Sequence, residues 1–208
     1  MDFVSDSDCW AMCKSQHLWI FDKLILSRKL GHLSGPAGIP VPVSGSYIVR
    51  PVMNLRMMSR GASIKYLTPE SSLDEVPDGY FWQERFAGRH LSVDYDNGTQ
   101  TLCVEGFRDY PDRLDRFSRW CKVDDVIPLP DIFQEIVSNY RWLNLEMVGE
   151  QVIEAHLRYN DDFSNHECDT IVPVWSEQNL EPVPGAKFYN SPAGERIGFW
   201  IYNNKEIT

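Results

Sequence analysis

No apolar run in this 208-residue chain approaches the ~18 residues a membrane-spanning helix needs, so no such span is expected. The first residues, Met-Asp-Phe-Val-Ser-Asp, lack the basic start and apolar stretch of a secretory signal. Positive charge is scarce, with 20 Lys and Arg against 30 Asp and Glu and a net charge of −10. That balance argues against a mainly electrostatic nucleic-acid binder, which needs a basic surface. Cysteine is sparse and odd in number: Cys9, Cys13, Cys103, Cys121 and Cys168. Scattered single cysteines point to reduced thiols and a cytoplasmic setting. Cys9 and Cys13 lie one helical turn apart, but no second pair completes a zinc site. Repeats and low-complexity tracts are missing. So are the Walker A loop, Gly-x-Ser-x-Gly, His-Glu-x-x-His and the Lys-x-Asp-Gly of covalent nucleotidyl transferases.

The chain has apolar and aromatic residues in quantity, 43% and 12%. These are enough for one medium domain, or two small ones sharing a core, without staples. Residues from about Trp10 to Leu30 have a mostly helical pattern, and Gly31 to Pro42 is a breaker-rich connection. Strand patterns follow at Ser46–Pro51, Ala62–Leu67, Tyr80–Phe86, Leu91–Tyr95 and Thr101–Phe107, with Asn97-Gly98 a hairpin turn between the last two. Residues 108–125 are charged and irregular. Asp131–Arg141 reads as a helix with an Asp cap. The Pro- and Asn-rich tail carries strand signals at Ile171–Trp175 and Ile197–Tyr202. The fold class is α+β with mainly antiparallel pairing.

The segment Trp142–Arg158 is the most informative stretch. Two apolar runs flank Gly149-Glu150, so it reads as a β-hairpin. The strand period of two puts Glu154, His156 and Arg158 on one face and apolar Ile153, Ala155 and Leu157 on the other. Such a charged row on a half-buried strand costs desolvation energy, which a metal ion, phosphates or a substrate anion would offset. Glu146 adds a second carboxylate. A longer or bulged turn places it opposite Glu154; a strict two-residue turn pairs it with Ile153 and separates the carboxylates. Two ionised carboxylates on one face would favour Mg²⁺ shared with phosphates, whereas an exposed hairpin with a charged outer face would need no ligand.

In order along the chain stand Asp22-Lys23, Gly38-Ile39-Pro40-Val41-Pro42, Val49-Arg50-Pro51 and Arg60-Gly61-Ala62-Ser63. They are followed by Gln83-Glu84-Arg85-Phe86-Ala87-Gly88-Arg89-His90 and by Glu146 with Glu154-Ala155-His156-Leu157-Arg158. Taken together over roughly residues 20–160, this set resembles the ATP-grasp superfamily of carboxylate–amine/thiol ligases. The resemblance implies one ATP-grasp-like domain over 1–208 built of two small α+β subdomains whose antiparallel sheets enclose a nucleotide cleft. A first lobe would span about 44–88, a second about 89–160, and an extension 161–208. It further implies that Lys23 and Arg50 contact ATP phosphates and that the amides of Arg60, Gly61, Ala62 and Ser63 lie over the β- and γ-phosphates. Glu84 and Phe86 would meet the adenine edge through the main chain, with Gln83 nearby. His90 stands where the family usually has a ribose-binding Glu. Glu146 and Glu154 would hold Mg²⁺, His156 would take the place of the usual Asn ligand, and Arg158 would stabilise the transferring oxygen.

ATP and Mg²⁺ are thus the expected cofactors, and a small-molecule or peptide carboxylate with an amine or thiol the expected substrates. The few residues before Asp22, where many members carry a substrate domain, make the chain look truncated at its N-terminus and leave the acceptor to loops, the tail or a protein partner. With the substitutions at His156 and His90 they give a catalytically degenerate nucleotide-binding module as the alternative. Arg108, Arg113, Arg116 and Arg119 alternate with aspartates and aromatics in Phe107–Trp120. Arg108 and Arg113 are candidates for an acceptor carboxylate. Base stacking by Tyr110, Phe117 and Trp120 suggests a weaker, nucleic-acid-modifying role, against which the net charge speaks. A solvated segment with self-paired charges is the plainer reading.

Overall fold

The computed structural model describes residues 5–53, 60–110, 112–178 and 184–203, and all statements below concern these. The helical N-terminal stretch is three short pieces rather than one run. They are α1 (Asp6–Met12), a 3-10 segment (Ser15–Phe21) and α2 (Lys23–Lys29). Ser5 caps α1 through Asp8 N–H, and Asp22 caps α2 by accepting from Ile25 N at 2.8 Å. A cap inside the predicted run is what divides it.

Four strands form a first antiparallel sheet: β1 (Ser34–Pro36), β2 (Gly45–Pro51), β3 (Ser63–Leu67) and β4 (Tyr80–Glu84), in the order β1-β4-β2-β3. Next come β5 (His90–Asp96), β6 (Thr99–Phe107), β7 (Arg119–Lys122), α3 (Gln134–Asn139), β8 (Trp142–Val148) and β9 (Gln151–His156). After α4 (Asp161–Ser164), strands β10 (Thr170–Trp175), β11 (Lys187–Tyr189) and β12 (Arg196–Tyr202) finish the chain. They extend the second sheet, whose order is β11-β12-β10-β7-β6-β5-β8-β9. The α+β, antiparallel reading therefore holds. Asn97 and Gly98 both have positive φ, 48° and 80°, the requirement of the tight hairpin turn expected there.

Three local expectations change. Asp131 does not cap a helix: a 3-10 turn (Asp131–Phe133) precedes α3, its N-cap is Pro130, and no side chain caps it. Strand β7 lies within the stretch read as irregular, because its alternating Arg-Trp-Cys-Lys offers no apolar period. The third change lies in the β8–β9 hairpin. Its turn is Gly149-Glu150, yet the register shifts by a bulge, so Met147 pairs with Val152 while Glu146 pairs with Glu154. Ile153 is the extra residue. It turns toward the cleft instead of joining Ala155 and Leu157 in the core, as a bulge re-aims one side chain.

One face of the second sheet is apolar. Leu91, Val93, Leu143, Leu145 and Val152 pack there against Ile20, Leu26, Phe133 and Ile136 of the helical layer. Each such buried side chain contributes roughly 1.5–3 kcal/mol. The opposite face carries Ser92, Asp94, Asn144, Glu146, Glu154 and His156, as the period of two dictates once the bulge has set the register. The sheets meet where the β4–β5 connection runs against the β8–β9 turn. Gly88 has φ +125°, and a Cβ there would stand 2.8 Å from Gly149 Cα. Gly88→Ala is therefore expected to cost about 1–3 kcal/mol, read from the denaturant midpoint. An unchanged midpoint would mean the two segments part readily.

Candidate functional site

Between the sheets lies a cavity of about 810 Å³, lined among others by Lys23, Arg50, Arg60, Ala62, Gln83, Glu84, Phe86, His90 and Arg108. Gly61 and Ser63 belong to the same segment as Arg60 and Ala62 but do not line the cavity; Gly61 has φ +79°, and a Cβ there would meet the Tyr80 hydroxyl at 2.6 Å. Arg85, Phe86, Ala87 and Gly88 belong to neither sheet and line the cavity.

Arg50 is 6% exposed, and its Nη2 donates to Gln83 Oε1 (2.6 Å) and to the Ile153 carbonyl (2.9 Å). The bulge thus supplies an acceptor that ties the first sheet to the second. Arg50 Nε is buried without a partner. Gln83 in turn donates from Nε2 to His32 Nδ1 (2.9 Å), which leaves His32 Nε2–H to donate to Gln151 Oε1 (3.1 Å). Burial pushes the His32 pKa down, consistent with a neutral ring. Gln83 is thereby committed to Arg50 and His32, a role its position in the sequence did not reveal.

A second cavity, of about 290 Å³, lies on the polar face of the second sheet and is lined in part by Glu146, Glu154, His156 and Arg158. The three residues of the β9 row share one face and are 7%, 5% and 9% exposed, which excludes the exposed hairpin. Lys23 Nζ lies 2.7 Å from Glu154 Oε1, and His90 Nε2 3.3 Å from Glu146 Oε2. The carboxylates line the small cavity while their cationic or imidazole partners line the large one. Burial would raise the Glu146 pKa, but His90, His156 and Lys23 more than reverse it, so Glu146 is ionised.

Asp6 of α1 was not anticipated. It is 2% exposed and reaches His156 Nδ1 at 3.0 Å and Arg158 Nε at 3.0 Å. His156 Nε2 stands 3.7 Å from Glu154 Oε1. Burial would lower the His156 pKa, yet Asp6 raises it above its usual value. With Asp6 at Nδ1 and Glu154 near Nε2, both ring nitrogens already face carboxylates, which does not favour metal ligation through a neutral imidazole. Glu146 and Glu154, adjacent and ionisable, do suit Mg²⁺ shared with phosphates. Among the described residues no group of three His, Cys, Asp or Glu is arranged to hold a metal unaided. Arg108 stacks on Phe117, 3.8 Å to the ring centroid, and its Nη2 approaches His90 Nδ1 at 3.3 Å. Arg113 instead pairs with Asp115 at 3.1 Å and lines an outer groove.

No family model and no curated protein matches the sequence. Solved structures do. An L-amino acid ligase from Bacillus licheniformis aligns at a TM-score of 0.50 and 10% identity, over 88% of this chain and 66% of that one. An ATP-grasp superfamily protein from Archaeoglobus fulgidus aligns at 0.46 and 17%, over 89% and 64%. A D-alanine–D-alanine ligase from Bacillus anthracis, solved with ATP, aligns at 0.39 and 17%, over 67% and 55%. The fold is ATP-grasp-like. The chain spans between about half and two thirds of the length of these structures. No helix of the described residues is long and apolar enough to cross a membrane.

Proposed function

We propose that the chain binds Mg-ATP between its two sheets and activates a small-molecule or peptide carboxylate as an acyl phosphate for attack by an amine or thiol. The observation that carries this reading is the place of the carboxylate pair. Glu146 and Glu154 line the small cavity with Arg158, while their partners His90 and Lys23 line the large one with Arg50. A transferring phosphoryl group would pass at that boundary. In this reading the Glu84–Phe86 main chain takes the adenine edge beside Gln83, and His90 lies at the ribose. Lys23, Arg50 and the Arg60–Ser63 loop take the phosphates. Mg²⁺ held by Glu146 and Glu154 would neutralise phosphoryl charge there. A carboxylate oxygen attacks the γ-phosphorus, the bond to the β-phosphate oxygen breaks and ADP leaves. The nucleophile then attacks the acyl carbon, loses its proton and displaces phosphate. Arg158, fixed by Asp6, supplies positive charge to the phosphoryl oxygens, so the protein contributes positioning and charge.

Titration calorimetry tests this. Wild type is expected to bind ATP only with Mg²⁺. Glu154→Gln, which keeps the shape of the side chain, is expected to lose that dependence and at least ~10-fold in affinity. Metal-independent binding equal in both would remove the assignment. One observation favours a module that binds nucleotide without chemistry: His156, at the position where the family usually has a metal ligand, is tied to Asp6 through Nδ1. That reading expects nucleotide binding without ADP release across a screen of carboxylates and amines.

A further inference from the structure

The last quarter of the chain had no readable motif, yet it builds much of the wall facing the carboxylate row. Phe163, Pro173, Trp175 and Arg196 all line the small cavity. At about 290 Å³ the cavity sits at the lower end of small-molecule sites, roughly 300–1,000 Å³. Its lining mixes polar groups with three aromatic ones, Phe117, Trp120 and Trp175; the first two also reach the His90 ring, 4.8 and 5.6 Å between centroids. The Phe117 and Trp120 rings lie 4.2 Å apart at 39°, a packed pair rather than loose side chains.

The charges on this wall are mostly spent. Arg158 is held by Asp6, and Arg196 pairs with Asp162 and approaches Ser191. Two atoms are not: Arg196 Nε and Asp161 Oδ1 are buried with no hydrogen-bond partner, and of these only the Asp161 oxygen is an acceptor. A buried carboxylate oxygen left in this state costs the full desolvation penalty, and an N–H donor from a ligand would remove it. Burial pushes the Asp161 pKa up against the nearby charge of Arg158, which is itself engaged by Asp6.

We infer that the small cavity is the acceptor site and takes an α-amino acid with an aromatic side chain. Asp161 would receive the ammonium, the aromatic wall the ring, and the carboxylate would point to the Glu146–Glu154 boundary. The inference rests on the carboxylate-activation reading for the fate of the ligand, but not for its binding.

The test is binding of L-phenylalanine, followed by the fluorescence of the cavity tryptophans and by calorimetry. L-Phenylalanine is expected to bind about 10- to 100-fold more tightly than 3-phenylpropionate, which lacks the ammonium, and than L-alanine, which lacks the ring. Asp161→Asn, nearly the same shape, is expected to lose the preference over 3-phenylpropionate while ADP affinity and the circular dichroism spectrum stay unchanged. Equal binding of phenylalanine and 3-phenylpropionate, or an unaltered Asp161→Asn, would overturn the inference. If Mg-ATP binds and no amino acid does, the inference falls while the nucleotide reading stands. If phenylalanine binds with this selectivity and ATP does not, the amino-acid site stands and the ligase reading falls.

Discussion

Asp6→Ala is expected to lower stability by about 3–5 kcal/mol, the usual cost of removing one partner of a buried ion pair. Two buried side chains depend on this carboxylate. His156 and Arg158 both lie 3.0 Å from Asp6 Oδ1, and all three residues are under 10% exposed. Alanine would leave the Arg158 guanidinium beside the His156 ring with only the more distant carboxylates Glu146, Glu154 and Asp161 to balance them. The ring can shed its proton; the guanidinium cannot. The effect should depend on pH in a defined way. Burial alone would raise Asp6, but His156 and Arg158 hold it far below its ordinary 3.8, so its contribution is complete above 3.8 and is lost as pH falls. His156 is raised above its ordinary 6.5, so its contribution is complete below 6.5 and is lost as pH rises through the folded-state value. The difference between wild type and Asp6→Ala in denaturant melts should therefore be widest between about pH 4 and 6.5 and narrow on either side. A difference independent of pH would show that Asp6 acts by packing alone.

This network also marks where sequence reasoning stops. The β9 row was legible because Glu154, His156 and Arg158 alternate with apolar residues, and a period of two fixes a face from a handful of positions. Their partner was not. Asp6 lies 150 residues before His156, in a charged segment whose Ser-Asp-Ser-Asp start offers no periodic cue. The relation between Glu146 and Glu154 was readable only as a choice between two registers. Nothing in Met147–Val152 specifies a bulge at Ile153; packing of Val152 into the core and the bond from Arg50 to the Ile153 carbonyl accompany it. Most strands with a clear apolar period appear close to their expected limits, whereas β7, with four polar and aromatic residues, does not announce itself. The tail illustrates the same limit. Its strands could be expected at Ile171–Trp175 and Ile197–Tyr202, but that they extend the second sheet and wall the small cavity follows from tertiary pairing with β7.

Lys23→Met is expected to reduce nucleotide affinity at least ~10-fold and any turnover by ~100-fold or more, the scale seen when one donor to a transferring group is removed. The substitution alone cannot prove the point, because Lys23 has a structural duty as well. Its Nζ sits 2.7 Å from Glu154 Oε1, the pair is 4% and 7% exposed, and its residue begins α2. Removing the lysine leaves Glu154 buried without its cation, which costs about 3–5 kcal/mol and would depress binding through partial unfolding. The double variant Lys23→Met/Glu154→Gln separates the two roles. With both charges gone there is nothing left to compensate, and replacing a whole buried pair by neutral groups of similar size is often close to neutral. Its unfolding midpoint should therefore return toward that of wild type. Nucleotide binding should not return, because the phosphate-facing cation and one metal-facing carboxylate are both missing. If calorimetry instead shows the double variant binding Mg-ATP as wild type does, Lys23 serves the helix and the sheet alone, and the phosphates must find their charge elsewhere in the large cavity, with Arg50 and Arg60 the next residues to replace.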